Sequence, residues 1–160
     1  MLKKRPSGGT GEARKSRSGK SRSPSRRSRR IAEREGKGAP EMKQAIARLQ
    51  TGSMTFKHTS KGSKQRWVQL SETLRSIDWL APEGTKRRGG ILLSEIVAIA
   101  PGWQTSVFQV ASQKMKPAQE ETCLSIVCGN KTLDLEMETV AVRNQWVKDV
   151  SLVTGKKALQ

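Results

Sequence analysis

The chain has no apolar run approaching the length of about 18 residues that a membrane-crossing helix needs. Its first residues, MLKKRPSGG, are basic but carry no apolar stretch, which excludes a secretory signal. The first 30 residues hold too few apolar side chains to build the amphipathic helix of a transit peptide. A cytoplasmic or nuclear chain is expected, peripheral to any membrane it meets. Histidine occurs once, at His58, and no residue at suitable spacing offers it a partner for acid–base work or zinc binding. Cysteine occurs twice. Cys123 and Cys128 are five apart in an expected strand and so face opposite sides, which argues against a shared disulfide or metal. Both read as reduced packing residues. Gly89-Gly90 lacks the lysine and helix start of a phosphate loop. With no nucleophile beside a base, no paired acid and base and no metal cluster, the chain is expected to be non-catalytic and to need no cofactor.

What the sequence has in excess is positive charge, and it is unevenly placed. Residues 1–50 hold 16 Lys/Arg against 4 Asp/Glu, whereas residues 51–160 hold 15 against 10. Residues 1–38 are dominated by Lys, Arg, Ser and Gly, with the Ser-Arg-rich KSRSGKSRSPSRRSRR at 15–30. Such a segment buries too little apolar surface to offset its chain entropy, so a disordered tail over 1–38 is expected. It reads as a solvated leader or an RRSRR nuclear address, or as a grip on a polyanion, either an acidic membrane leaflet or nucleic acid. A folded domain is expected over 39–155, and 156–160 reads as a short C-terminal tail.

Within the domain, Pro40 and EMKQAIARLQ predict a short amphipathic helix over 41–50, ended by Thr51-Gly52. Short strands follow over 54–58, 65–70 and 73–80, then a glycine- and cation-rich turn, PEGTKRRGG. ILLSEIVAIA predicts a strand closed by Pro101-Gly102, and Ser106 to Val110 another; QKMKPAQEE reads as a polar loop. Gly129-Asn130 between alternating segments predicts a hairpin of Thr122–Cys128 with Thr132–Met137. The period then changes. Val142, Trp146, Val150 and Val153 keep helical spacing, with Thr139 as cap and Gly155 as stop. Seven antiparallel strands and a closing helix suit a partly open barrel whose end the helix plugs. Trp79 and Trp146 read as core, Trp67 as packing on the outside of the sheet or touching lipid, and Trp103 as either.

The stretch GSMTFKHTSKGSKQRWVQL, residues 52–70, carries the functional signal. Lys64, Arg66, Val68 and Leu70 share one face of a strand because side chains alternate. Unpaired charge does not go into a core, so this face should run from a buried end to a wet one. At the wet end Lys64 and Arg66, with Lys57 from the preceding strand, would surround an anion such as phosphate. Lys61, in the joining loop, is an accessory candidate; Lys86, Arg87 and Arg88 form a further cationic turn.

These residues resemble a known family. QAIARLQTG, SMTFK, KQRWVQL, SIDWL and the Trp146 segment QWVKDV, in that order, look like a pleckstrin-homology (PH) domain of the phospholipase C type; SEIVAIAPGWQTSVF and CLSIVCGNKTLDLE follow in the matching order. The resemblance covers about residues 41–155 and implies a seven-stranded, strongly bent antiparallel sheet capped by the C-terminal helix. It also implies a headgroup site between the first two strands, carried here by Lys57, Lys64 and Arg66, with help from Lys86 to Arg88. Thr59 stands where phospholipase-type members tend to carry a second basic residue and the loop is slightly shorter, so strong selectivity for one headgroup is not implied; the phospholipase catalytic region is not part of the resemblance. The expected function is a non-catalytic phosphoinositide- or inositol-phosphate-binding module that brings a protein to an anionic membrane surface, assisted by the polybasic tail. The alternative is the same fold used as a scaffold or cytoskeletal protein-docking module, with its Ser/Arg tail on nucleic acid or another polyanion.

Overall fold

A computed structural model describes residues 26–160, with side chains from residue 38 onward except at Ala118. Residues 1–25 of the expected tail lie outside the described residues. Helix α1 spans Arg26–Thr51 and is followed by β1 (Ser53–Thr59), β2 (Gly62–Leu70), β3 (Ser76–Leu80), β4 (Arg87–Leu92) and β5 (Ile96–Pro101). The short helix α2 (Ser106–Ala111), β6 (Cys123–Cys128), β7 (Thr132–Met137) and helix α3 (Val140–Thr154) complete the chain. The seven strands form one antiparallel sheet in the order β4-β3-β2-β1-β7-β6-β5, so the sheet has two ends and does not close.

The core lies between the bent sheet and the two long helices. Val68, Leu70, Ile77, Ile91, Ile96 and Ile99 meet Leu124, Ile126, Leu133 and Leu135 there, and Trp146 and Val150 of α3 close it. Fully burying each such side chain contributes about 1.5–3 kcal/mol. Thr139 caps α3 by accepting the Val142 N–H, and Gly155 ends it in the left-handed conformation at φ 68°. The Trp146 indole N–H donates to Ser53 Oγ at 2.9 Å, tying the plug to the start of β1. Helix α1 is locked to α3 by a two-pronged contact of Arg48 with Asp149, Nε to Oδ2 at 2.8 Å and a terminal guanidinium nitrogen to Oδ1 at 2.7 Å. Asp149 is buried, so this pairing satisfies a carboxylate that would otherwise be costly to enclose.

Several segments differ from the sequence expectation. Helix α1 begins at Arg26, not at 41, and runs through Pro40, which removes one backbone donor without ending the helix. The expected strand 73–80 is cut to Ser76–Leu80. Ahead of it Ser71 Oγ accepts the Arg75 and Ser76 N–H groups, and Leu74 takes φ 57°, so the chain turns there. The apolar run 91–100 serves two strands, because a single 3-10 turn at Leu93–Glu95 sends β4 and β5 to opposite ends of the sheet. Ser106 to Val110 is helical. Thr105 caps it, only Phe108 is buried, and Val110 points to solvent. The loop after it, residues 112–122, is wound into two further 3-10 turns.

That connection covers the outer face of β1, β7 and β6. Under it Asp134 accepts hydrogen bonds from Thr105, Ser125 and Thr132, while His58 Nε2 meets Glu136 at 2.9 Å and its ring packs against Phe108. The two cysteines are free and buried on opposite faces of β6, as packing residues. Burial pushes the Cys123 thiol up to about 12, and the Glu136 and Glu120 charges push the same way. No helix among the described residues is long and apolar enough to cross a membrane.

Candidate anion-binding site

The site is set by the β1–β2 register. Lys57 stands directly opposite Lys64 and Thr55 opposite Arg66, so all three cations project from the inner face of the sheet. Along β2 that face grades from exposed Lys64 through half-buried Arg66 to buried Val68 and Leu70. The core therefore ends and the wet mouth begins within a single strand. Directly opposed lysines repel, and the arrangement persists without an acidic neighbour between them.

Around this mouth lies a groove of about 370 Å³ lined by Lys57, Lys61, Lys64, Arg66, Arg88 and Trp79, with Thr59, Gly62 and Ser63 at the loop. No carboxylate lines it, and none of its five cations makes an ion pair among the described residues. Arg66 donates to the Gln65 carbonyl at 2.8 Å, a contact that leaves its other donors free. Lys57 is held below the ordinary lysine value, first by burial and then by Arg66, while Asp134 across the sheet offsets part of this.

Of the seven cations expected at the site, five meet and two do not. The split follows from a bulge in β4: Trp79 pairs with Gly89 but Leu80 with Arg87, leaving Arg88 as the extra residue. Arg88 turns into the groove. Arg87 goes to the other face and binds Asp78 Oδ1 at 3.1 Å, which also holds its guanidinium above the ordinary value. Lys86 stays on the exposed turn, its carbonyl accepting the Ala81 N–H. Trp79, expected as core, is half-buried and does two jobs: it packs on the core and walls the groove. Gly89-Gly90, expected as a turn, is strand; the missing side chain of Gly89 makes room for that indole, and that of Gly90 for the Asp78–Arg87 pair on the other face. A tryptophan paired across a strand with glycine is the sequence signal that would have shown this.

On the outer face of the same strands lies a second groove of about 450 Å³, lined by Met54, Phe56, Gln65, Glu136, Met137 and Glu138. Phe56 is 46% exposed there. Among the described residues no group of acidic, histidine and cysteine side chains is placed to hold a metal ion.

No protein-family model matches the chain, and no curated protein does. Solved structures do. The PH domain from PfAPH superposes with a TM-score of 0.51 at 13% identity, over 69% of this chain and 88% of that one. The C-terminal PH domain of human pleckstrin matches at 0.49 and 18% identity over 64% and 85%. S. officinalis PLC21 matches at 0.47 and 16% over 66% of this chain, which spans only 15% of that one. A seven-stranded open sheet, a C-terminal helix plugging its core and the PfAPH superposition together establish that the chain has the pleckstrin-homology fold.

Proposed function

We propose that this chain is a non-catalytic receptor for phosphoinositide or inositol-phosphate headgroups that brings its protein to an anionic membrane surface. The observation that carries this reading is a groove holding five cations and no carboxylate, at the turn end of the β1–β2 hairpin. Arg66 and Arg88 offer planar forks suited to phosphate oxygens, and Lys57, Lys61 and Lys64 offer point charges. The phospholipase C-type affinity suggested by the sequence belongs to the same proposal. The basic N-terminal segment would add nonspecific attraction to the same leaflet, at about 1 kcal/mol per cation near the surface.

Sedimentation with phosphatidylcholine vesicles, with and without a phosphoinositide, tests the groove. Lys64→Glu with Arg66→Glu places two carboxylates where phosphate would sit, and the increment due to phosphoinositide should vanish. An unchanged increment would end the proposal. A second reading, a protein-docking module, is favoured by one observation, the exposed Phe56 in the outer groove. It predicts a partner that still binds the double variant and is lost on Phe56→Ser.

A further inference from the structure

The geometry points to Trp79 as the positioning residue of the groove: seated on Gly89, it fixes where the Lys57 ammonium stands. This deepens the anion-receptor reading and rests on it. Trp79 pairs with Val68 on one side and Gly89 on the other, so its indole shares the inner face with the cations. A Cβ on Gly89 would lie 2.4 Å from Trp79 Cζ2 and 2.6 Å from Cε2. The indole therefore occupies the space above Gly89, and only glycine at that position permits it. Lys57 belongs to β1, two strands away in the sheet order, so its stem must span β2 to reach the ring. It does reach: Lys57 Nζ lies 4.9 Å from the ring centroid, within the range of a cation–π contact.

Three consequences follow from this placement. The aromatic face gives Lys57 an attractive partner that leaves all its N–H donors available, which a carboxylate would not. It also holds the ammonium in the groove against repulsion from Lys64 and Arg66, so a phosphate group meets a donor already in place. Finally, the ring makes Lys57 the inner donor, with Lys61, Lys64 and Arg88 exposed at the rim.

The test uses the full chain and two probes, inositol 1,4,5-trisphosphate by calorimetry and phosphatidylcholine vesicles carrying the matching bisphosphate lipid. The first probe reports a free headgroup and the second a membrane. Trp79→Leu should weaken whichever probe binds by roughly three- to tenfold, the worth of a partly desolvated cation–π contact. Trp79→Phe, which keeps an aromatic face, should stay within about twofold. In a Lys57→Met background Trp79→Leu should have no further effect, because the indole acts through the lysine. Equal weakening in both backgrounds overturns the inference. A ligand-free readout separates it from the anion reading: the Lys57 side-chain methylene protons should be shifted upfield by the indole ring in NMR spectra. That shift should survive in Trp79→Phe and disappear in Trp79→Leu and Gly89→Ala. If neither probe binds the wild type, the receptor reading fails while the methylene shifts still decide the positioning. Ordinary methylene shifts in the wild type overturn the positioning itself.

Discussion

At the scale of single residues, burial decides more than identity. Cys123 and Lys57 are ionisable groups taken partly from water, and each is moved toward its neutral form. For Cys123 the consequence for stability can be signed. The folded thiol keeps its proton up to about 12, whereas in the unfolded chain it titrates near the ordinary value of 9.0. Between these the unfolded state binds fewer protons, so folding stability falls as pH rises through that window and is unaffected below it. Urea unfolding at about pH 8 and about pH 10.5 should show a loss that shrinks in Cys123→Ala relative to wild type. A pH-dependent loss of equal size in the variant would assign it to other groups. Meanwhile the cysteine should resist thiol reagents in the folded protein, since only the thiolate reacts. The spacing of Cys123 and Cys128 made their opposite-facing burial legible, because alternation in a strand is purely local. The pairing of Arg87 with Asp78 was not legible, since it depends on where one extra residue is inserted in β4.

At the scale of elements, the sequence speaks clearly where the deciding contact is close in the chain. Helix α3 shows this: the Thr139 cap, the apolar positions Val142, Trp146 and Val150, and the Gly155 stop all lie within one short segment. The β6–β7 hairpin is similar, with Cys128 and Lys131 closing the Gly129-Asn130 turn. Thr139→Ala removes an acceptor from the first turn of α3 and should lower unfolding stability by about 1 kcal/mol, with Thr139→Ser restoring most of it. Denaturant midpoints measure this, and an unshifted midpoint would mean that packing against the sheet alone defines the helix start. By contrast, Ser106–Val110 is rich in β-branched and aromatic residues and yet is helical. Its outcome is set from outside, by Thr105 reaching Asp134 on β7 and by Phe108 entering the space beside His58. The run Ile91–Ala100 was likewise ambiguous, because an apolar decapeptide fits one strand or two, and only the bend of the whole sheet chooses.

For the molecule as a whole, the question is how two sources of positive charge combine. One is the shaped groove at the β1–β2 mouth; the other is the leader, where residues 1–25 alone carry 8 Lys/Arg against a single Glu. The first offers fixed donors with defined separations, and the second adds eight cations within 25 residues. Their contributions to vesicle binding should therefore separate by lipid and by salt. Removing residues 1–25, which leaves every described element in place, should weaken binding to phosphatidylserine vesicles by at least about tenfold at low salt, and by less as screening shortens the range of each charge. The increment from adding a phosphoinositide should persist in that truncated chain and vanish in Lys64→Glu/Arg66→Glu. With both changes, binding should fall to the level of neutral vesicles. If truncation instead removes the phosphoinositide increment, the leader is the receptor and the groove a basic rim. If the leader binds RNA with steep salt dependence while vesicle binding is unaffected by its loss, the two ends of the chain serve different polyanions. The additive outcome is the one the architecture favours, because two weak elements on one chain raise each other's effective concentration at a common surface.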